Sequence, residues 1–116
     1  MAGSDAPYVG CFPGFSLHDE LALLVEAGLT PLEALRAATL NPAKFIERLD
    51  SLGTVESGKL ADLVLLDANP LDDIRNTNKI AAVVANGRLY TLPLIQAMLA
   101  EVEAKVAAAE KSAPNN

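Results

Sequence analysis

Apolar residues recur along this chain with two different periods, and the change of period divides it. Up to about residue 50 the period is helical. Leu17, Leu21, Leu24 and Val25 fall on one face of a helix that Ser16 would cap, with Asp19 three residues on, and that Gly28 would end. Thr30, Pro31 and Glu33 then supply the start of a second helix: an N-cap, a proline at the first helical position and the reciprocal partner of a capping box. Leu32, Leu35, Ala38 and Thr39 share one face of it. Asn41-Pro42 predicts its end, because a proline disfavours the helical region for the residue before it. Asn41 would in turn cap a short third helix from Pro42 to about Arg48.

Beyond residue 50 the pattern shortens. Gly53 and Gly58 bracket an extended piece, and Lys59-Leu60-Ala61-Asp62 reads as a polar turn with an apolar anchor. Leu63 to Leu66 is a continuous apolar run of strand length, closed by the turn residues Asp67-Ala68-Asn69-Pro70. Leu71 to Lys79 is polar and suits a loop or one helical turn. Ile80 to Ala85 is a second strand. Asn86-Gly87 is a strong hairpin signal for a type I′ turn, with Arg88-Leu89-Tyr90 as the returning partner. Thr91 and Pro93 can open a last helix, along which Leu94, Ile95, Met98, Leu99, Val102 and Val106 recur at helical spacing. Glu101 and Lys105 stand four apart in the favourable order. The alanine-rich end has high helix propensity, and Ser112 to Asn116 should fray.

Composition narrows the function classes. With 116 residues and 51% hydrophobic content the chain can form a small domain with a modest core. A net charge of −6 argues against a nucleic-acid surface. Cys11 is the only cysteine, so neither an internal disulfide nor a cysteine-rich zinc site is available. No apolar run approaches membrane-spanning length, and Met1 to Tyr8 lacks the pattern of a secretory signal. The expectation is a cytoplasmic protein with no nucleic-acid or membrane partner.

Three segments carry a resemblance: Gly3-Ser4-Asp5, then His18-Asp19-Glu20-Leu21 through Ala43, then Gly53 through Tyr90. Within them Thr39-Leu40-Asn41-Pro42-Ala43 is followed at a characteristic distance by Gly58-Lys59-Leu60-Ala61-Asp62-Leu63-Val64. This combination resembles the C-terminal end of the metal-dependent amidohydrolase superfamily, nearest its imidazolonepropionase and Xaa-Pro dipeptidase-like branch. The resemblance implies an α+β chain that forms a fragment of a TIM-barrel amidohydrolase, with its last strand and closing helices, part of a small β-sandwich and a C-terminal helix. It divides the chain into a barrel-like segment at 1–50, a sandwich-like segment at 51–90, and a helix with a frayed tail at 91–116. Several hundred residues are needed for the whole fold, so a piece of a longer protein is expected.

The same resemblance assigns Asp5 to the end of the eighth barrel strand, where it would be both catalytic residue and metal ligand, beside a divalent metal, zinc being expected. A metal acidifies bound water and an adjacent carboxylate accepts its proton. The implied substrate is a small amide or peptide-like molecule, hydrolysed at a C–N bond. Taken alone, Asp5 is only a polar residue near the N-terminus. One histidine, His18, cannot complete a zinc site that normally takes three protein ligands. The isolated chain should therefore be inactive.

The remaining candidates read as scaffolding. His18 near a helix start suits a surface or packing role, the other reading being a pocket-lining residue near Asp5. Gly53 to Lys59 has the glycine and lysine spacing of a phosphate-binding loop but places Leu60 where Ser or Thr is required, and a strand follows. Lys59 and Asp62 then fix a turn. Cys11 reads as a free buried thiol. Asp67, Asp72 and Asp73 lack the spacing and glycine of a calcium loop. A second reading of function is a non-catalytic α+β oligomerisation or partner-binding module. In either case the apolar surface on Leu17 to Val25 and Leu94 to Val106 predicts a homo-oligomer.

Overall fold

Helical period first and strand period second is the order seen in the computed structural model, which describes residues 1–3 and 12–112. Helices α1 (Ser16–Glu26), α2 (Pro31–Ala38) and α3 (Leu40–Phe45) come first. Strand β1 (Leu63–Leu66), a 3-10 turn (Ile74–Asn78), β2 (Ile80–Ala85) and β3 (Arg88–Thr91) follow, and α4 (Leu92–Ser112) ends the described chain.

Local signals explain most boundaries. Thr30 Oγ1 accepts from the Glu33 amide at 3.3 Å while Glu33 Oε2 accepts from the Thr30 amide at 2.8 Å, the expected capping box at the start of α2. At the end of α1 the Gly28 amide donates to Val25 C=O and the Leu29 amide to Leu24 C=O, the paired bonds of a Schellman ending.

Two caps differ from the sequence expectation. Phe15, not Ser16, is the N-cap of α1, and it offers no side-chain cap. The preceding turn already engages this region, with the Ser16 amide donating to Phe12 C=O and Ser16 Oγ donating to the same oxygen at 2.8 Å. Asn41 is inside α3 rather than its cap, and Pro42 lies in the first turn. Proline costs little there, because first-turn amides have no intrahelical acceptor. The helix stops at Phe45, short of Arg48, where Glu47 turns to a φ of +56°.

The sheet is antiparallel in the order β1-β2-β3. Val64 stands opposite Val83 and Val83 opposite Tyr90; Leu63 faces Val84 and Val84 faces Leu89. Because neighbours alternate between faces, both faces of the sheet are apolar. Neither is closed: Val64 is 56% and Leu65 63% exposed. A register shift between Leu65 and Leu66 ends regular pairing. Asn86 and Gly87 both take positive φ, +52° and +75°, as a type I′ turn requires.

The core lies where α1, α2 and the 3-10 turn meet. Leu21, Ala34 and Ile74 are buried together, with Ala2, Leu24, Val25 and Leu35 packed around them. The face of α2 that sinks in carries Ala34 and Ala37, while Leu32, placed on the apolar face by its spacing, is exposed. Small residues let the neighbouring segments approach: the Ala2 amide reaches Ala37 C=O at 2.8 Å. The Cα radius of gyration is 16.7 Å, against about 13.4 Å for a compact domain of this length.

Gly53 presses against α3. Its φ is +88°, and a Cβ there would lie 2.7 Å from Ala43 Cβ. Gly53→Ala should lose ~2 kcal/mol or more of stability, from left-handed strain plus overpacking; urea unfolding reads this, and an unchanged midpoint would contradict the contact. A second expectation concerns Glu33. The Thr30 hydroxyl, then the Thr30 amide, then Arg36 hold its carboxyl below the ordinary 4.5. A depressed folded value means that this contribution is present above about pH 4.5 and is lost as pH falls through the folded value. Thr30→Ala should move Glu33 upward in an NMR carboxyl titration.

Candidate functional site

His18 lies in the first turn of α1 and is half-buried. Its Nδ1 lies 3.0 Å from Thr77 Oγ1, 59 positions away. The Thr77 hydroxyl donates to Ile74 C=O at 2.9 Å. With that hydrogen engaged, the threonine oxygen is the acceptor and His18 Nδ1–H the donor. In the neutral ring Nε2 is then left unprotonated. Thr77 and Ile74 are both buried, so the chain His18–Thr77–Ile74 ties α1 to the 3-10 turn beside the core. Among the described residues His18 thus links two packed elements, with a partner that no local signal in the sequence identifies.

The other charged candidates are engaged in turns. Asp73 caps the 3-10 turn by accepting from the Arg75 amide at 3.0 Å, and it takes the Arg75 guanidinium in a fork, Nη2 to Oδ2 at 2.9 Å. The Arg75 side chain followed by its amide pulls the Asp73 carboxyl below its ordinary value, and the same pair raises Arg75. Both partners remain substantially exposed to solvent, so the ion pair orients the turn more than it stabilises it. A groove beside it is lined by Val25, Glu26, Pro31, Asp73 and Arg75, with its guanidinium already committed to Asp73.

Lys59 is mostly buried, and its ammonium donates to Thr54 Oγ1 and pairs with Glu56 at 3.4 Å. Thr54 first, then the charge and hydrogen bond of Lys59, hold the Glu56 carboxyl low. This closes the loop between Gly53 and Lys59 on itself, and β1 follows where a phosphate-binding loop would need a helix. Asp62 Oδ1 accepts from the Asn86 amide at 2.7 Å, pinning the hairpin turn to the entry of β1. Lys59 and Asp62 thus have the structural roles that their positions predict.

Asp5 and Cys11 lie outside the described residues. Among the described residues no three His, Cys, Asp or Glu side chains gather to hold a metal ion, so these residues alone do not fit a catalytic metal. No described helix is long and apolar enough to cross a membrane.

The family model for the amidohydrolase family matches residues 1–90. The chain belongs to the amidohydrolase family. Among curated proteins it is similar to the imidazolonepropionase of Geobacillus sp. (strain WCH70), 41% identical over 87 residues, covering 68% of this chain and 20% of that protein. It is also similar to adenine deaminase 2 of Jannaschia sp. (strain CCS1), 35% identical over 72 residues, covering 62% and 12%. Among solved amidohydrolase-like structures, a Xaa-Pro dipeptidase with bound methionine in the active site superposes with a TM-score of 0.61 at 37% identity, over 65% of this chain and 18% of that one. Phenylurea hydrolase B gives 0.60 at 46% identity, over 63% and 16%. The chain spans about a fifth or less of the length of these relatives.

The His18–Thr77 link can be weighed directly. Thr77→Val should cost ~1 kcal/mol by leaving the half-buried Nδ1–H without an acceptor. Combined with His18→Ala in a double-mutant cycle it should show ~0.5–1 kcal/mol of coupling. Additive losses in denaturant unfolding would mean that the two side chains do not interact.

Proposed function

We propose that this chain is the C-terminal portion of a metal-dependent amidohydrolase that hydrolyses amide-like C–N bonds. In this reading residues 1–50 belong to the end of a TIM barrel, 51–90 to a small β-sandwich, and 91–116 to an appended helix and tail. The family match over residues 1–90 carries the proposal. The openness of the body supports it. The chain exposes 8641 Å², against about 6,100 Å² for a compact protein of its mass. The excess, roughly 2,500 Å², is the size of a large interface. A sheet apolar on both faces and a core of few large side chains are what a part of a larger fold would have.

Asp5 is the proposed catalytic carboxylate, accepting a proton from the attacking water, and the proposed ligand of a divalent metal, zinc. The relatives named imidazolonepropionase and Xaa-Pro dipeptidase support a small amide or peptide-like substrate, and a cytoplasmic setting goes with this reading.

A chimera tests it. Replacing the matching segment of the Geobacillus imidazolonepropionase by residues 1–90 should leave a metal-loaded, active enzyme. Asp5→Asn in that chimera should lower kcat at least ~1,000-fold. A folded, metal-loaded chimera whose turnover is untouched by Asp5→Asn would remove Asp5 from the chemistry. The 116-residue chain alone, supplied with zinc, should hydrolyse neither amide nor dipeptide substrates.

A further inference from the structure

The turn that joins β2 to β3 is exposed at both Asn86 and Gly87. It holds the one Asn-Gly pair in the sequence. Asn41 and Asn69 precede prolines, which have no amide hydrogen to lose. Asn76 and Asn78 precede threonine and lysine, and their side-chain amides donate to Asn69 C=O at 2.8 Å and to Arg75 C=O at 3.4 Å. The Gly87 amide, by contrast, meets no acceptor among the described residues, and a Cβ at Gly87 would have nothing within 4 Å. A carboxamide, an unengaged amide and open space thus stand side by side.

We infer that Asn86 is a site of spontaneous deamidation and that Asp62 holds the reaction back. The Gly87 nitrogen gives its proton to a base from solvent and attacks Asn86 Cγ. The new Cγ–N bond closes a five-membered succinimide, and the Cγ–Nδ2 bond breaks as ammonia leaves. Water then opens one of the two ring carbonyls, leaving aspartate or isoaspartate at position 86. Ring closure needs Asn86 Cβ and the Gly87 nitrogen eclipsed about the Cα–C bond. A type I′ turn sets ψ of its first central residue at about +30°, where Cβ points away from that nitrogen. The turn must therefore open before the ring can close. Asp62 Oδ1 keeps it shut by accepting the Asn86 amide hydrogen at 2.7 Å. The Asp62 carboxylate also opposes the build-up of negative charge on the neighbouring amide. Isoaspartate runs the main chain through Cβ and lengthens a two-residue turn. The register that sets Ala85 opposite Arg88 cannot close over it, so the modification releases the turn end of the hairpin in one direction only.

This site rests on the hairpin and not on the proposed hydrolase activity. The test incubates the 116-residue chain in mildly alkaline buffer, maps its peptides by mass spectrometry and counts isoaspartate by enzymatic methylation. Asn86 should convert ahead of Asn76 and Asn78, with isoaspartate among the products. Conversion of those two while Asn86 stays intact would overturn the site. Asp62→Ala should raise the rate at least ~5-fold through loss of one charge-assisted hydrogen bond. Asp62→Asn, which keeps an acceptor, should lie nearer the unmodified chain. Equal rates in the unmodified chain and Asp62→Ala would remove Asp62 as the restraint. Gly53→Ala, which loosens the fold away from the hairpin, should accelerate the reaction less than Asp62→Ala does. Equal acceleration by both would place the reaction in the globally unfolded chain and overturn the local restraint. Far-UV circular dichroism checks that each variant keeps its helices. Asn86→Asp supplies aspartate without lengthening the main chain, and it should keep the amide protection of β2 and β3 that the isoaspartate form loses in hydrogen exchange. Equal protection in the two forms would overturn the release of the hairpin.

Discussion

Ile74 joins the two halves of this chain. It projects from the 3-10 turn between β1 and β2 into the space between α1 and α2, against Leu21 and a fully buried Ala34. Burying an isoleucine stabilises by roughly 2–3 kcal/mol, a large share of the stability of a domain with so few large side chains inside. The neighbouring features hold Ile74 in place. Asp73 caps the turn, the Ile74 carbonyl accepts from Thr77, and Thr77 accepts from His18 on α1. The Asp67 amide, bonded to Lys79 C=O at 2.8 Å, closes the base of the excursion where β1 ends and β2 is about to begin. Sheet pairing thus delivers Ile74 to the helices, and the small side chain of Ala34 leaves room to receive it.

A second constraint acts at Gly53. The chain must pass so close to Ala43 that no side chain fits, and it must do so with positive φ. Lys59, Thr54 and Glu56 then fold the following loop onto itself, and the Leu60 amide returns to Ser51 C=O. Asp62 fastens the far hairpin to the same strand entry. Charged groups that could suggest chemistry by their spacing are therefore consumed in positioning β1.

What was legible in the sequence is what local chemistry decides. The capping box at Thr30 and Glu33, the runs Leu63–Leu66 and Ile80–Ala85, and the Asn86-Gly87 turn depend on residues within a few positions of one another, and they appear where their spacing puts them. Expectations failed where a competing partner or a distant neighbour decides. Ser16 and Asn41 have the chemistry of caps, but backbone turns and a tolerated first-turn proline displaced them. Leu32 lies on an apolar stripe, yet the buried face of α2 is set by the alanines that let α1, Ile74 and the backbone at Ala2 come close. The partner of His18 could not be read at all, because Thr77 is brought to it only by the packing of the 3-10 turn on α1. Asp5, the one residue assigned to chemistry, is outside the described residues, and its role rests on family resemblance alone.

The residues that carry that resemblance nearest the sheet are Thr39 to Ala43 and Gly58 to Val64. In the structure Thr39 bonds back to Leu35 C=O, Ala43 meets Gly53, Lys59 closes a loop and Asp62 holds a hairpin turn. Every one of these is a scaffold contact, so a sequence can keep this signature for the sake of its backbone alone. The match over residues 1–90 consequently reports a shared fold first. The chemistry depends on whether a carboxylate such as Asp5 meets further ligands, and the described residues do not bring such ligands together. Fold and activity separate here for a physical reason: the turns need only short-range partners from this chain, whereas a hydrolytic metal site needs several donors converging from different strands.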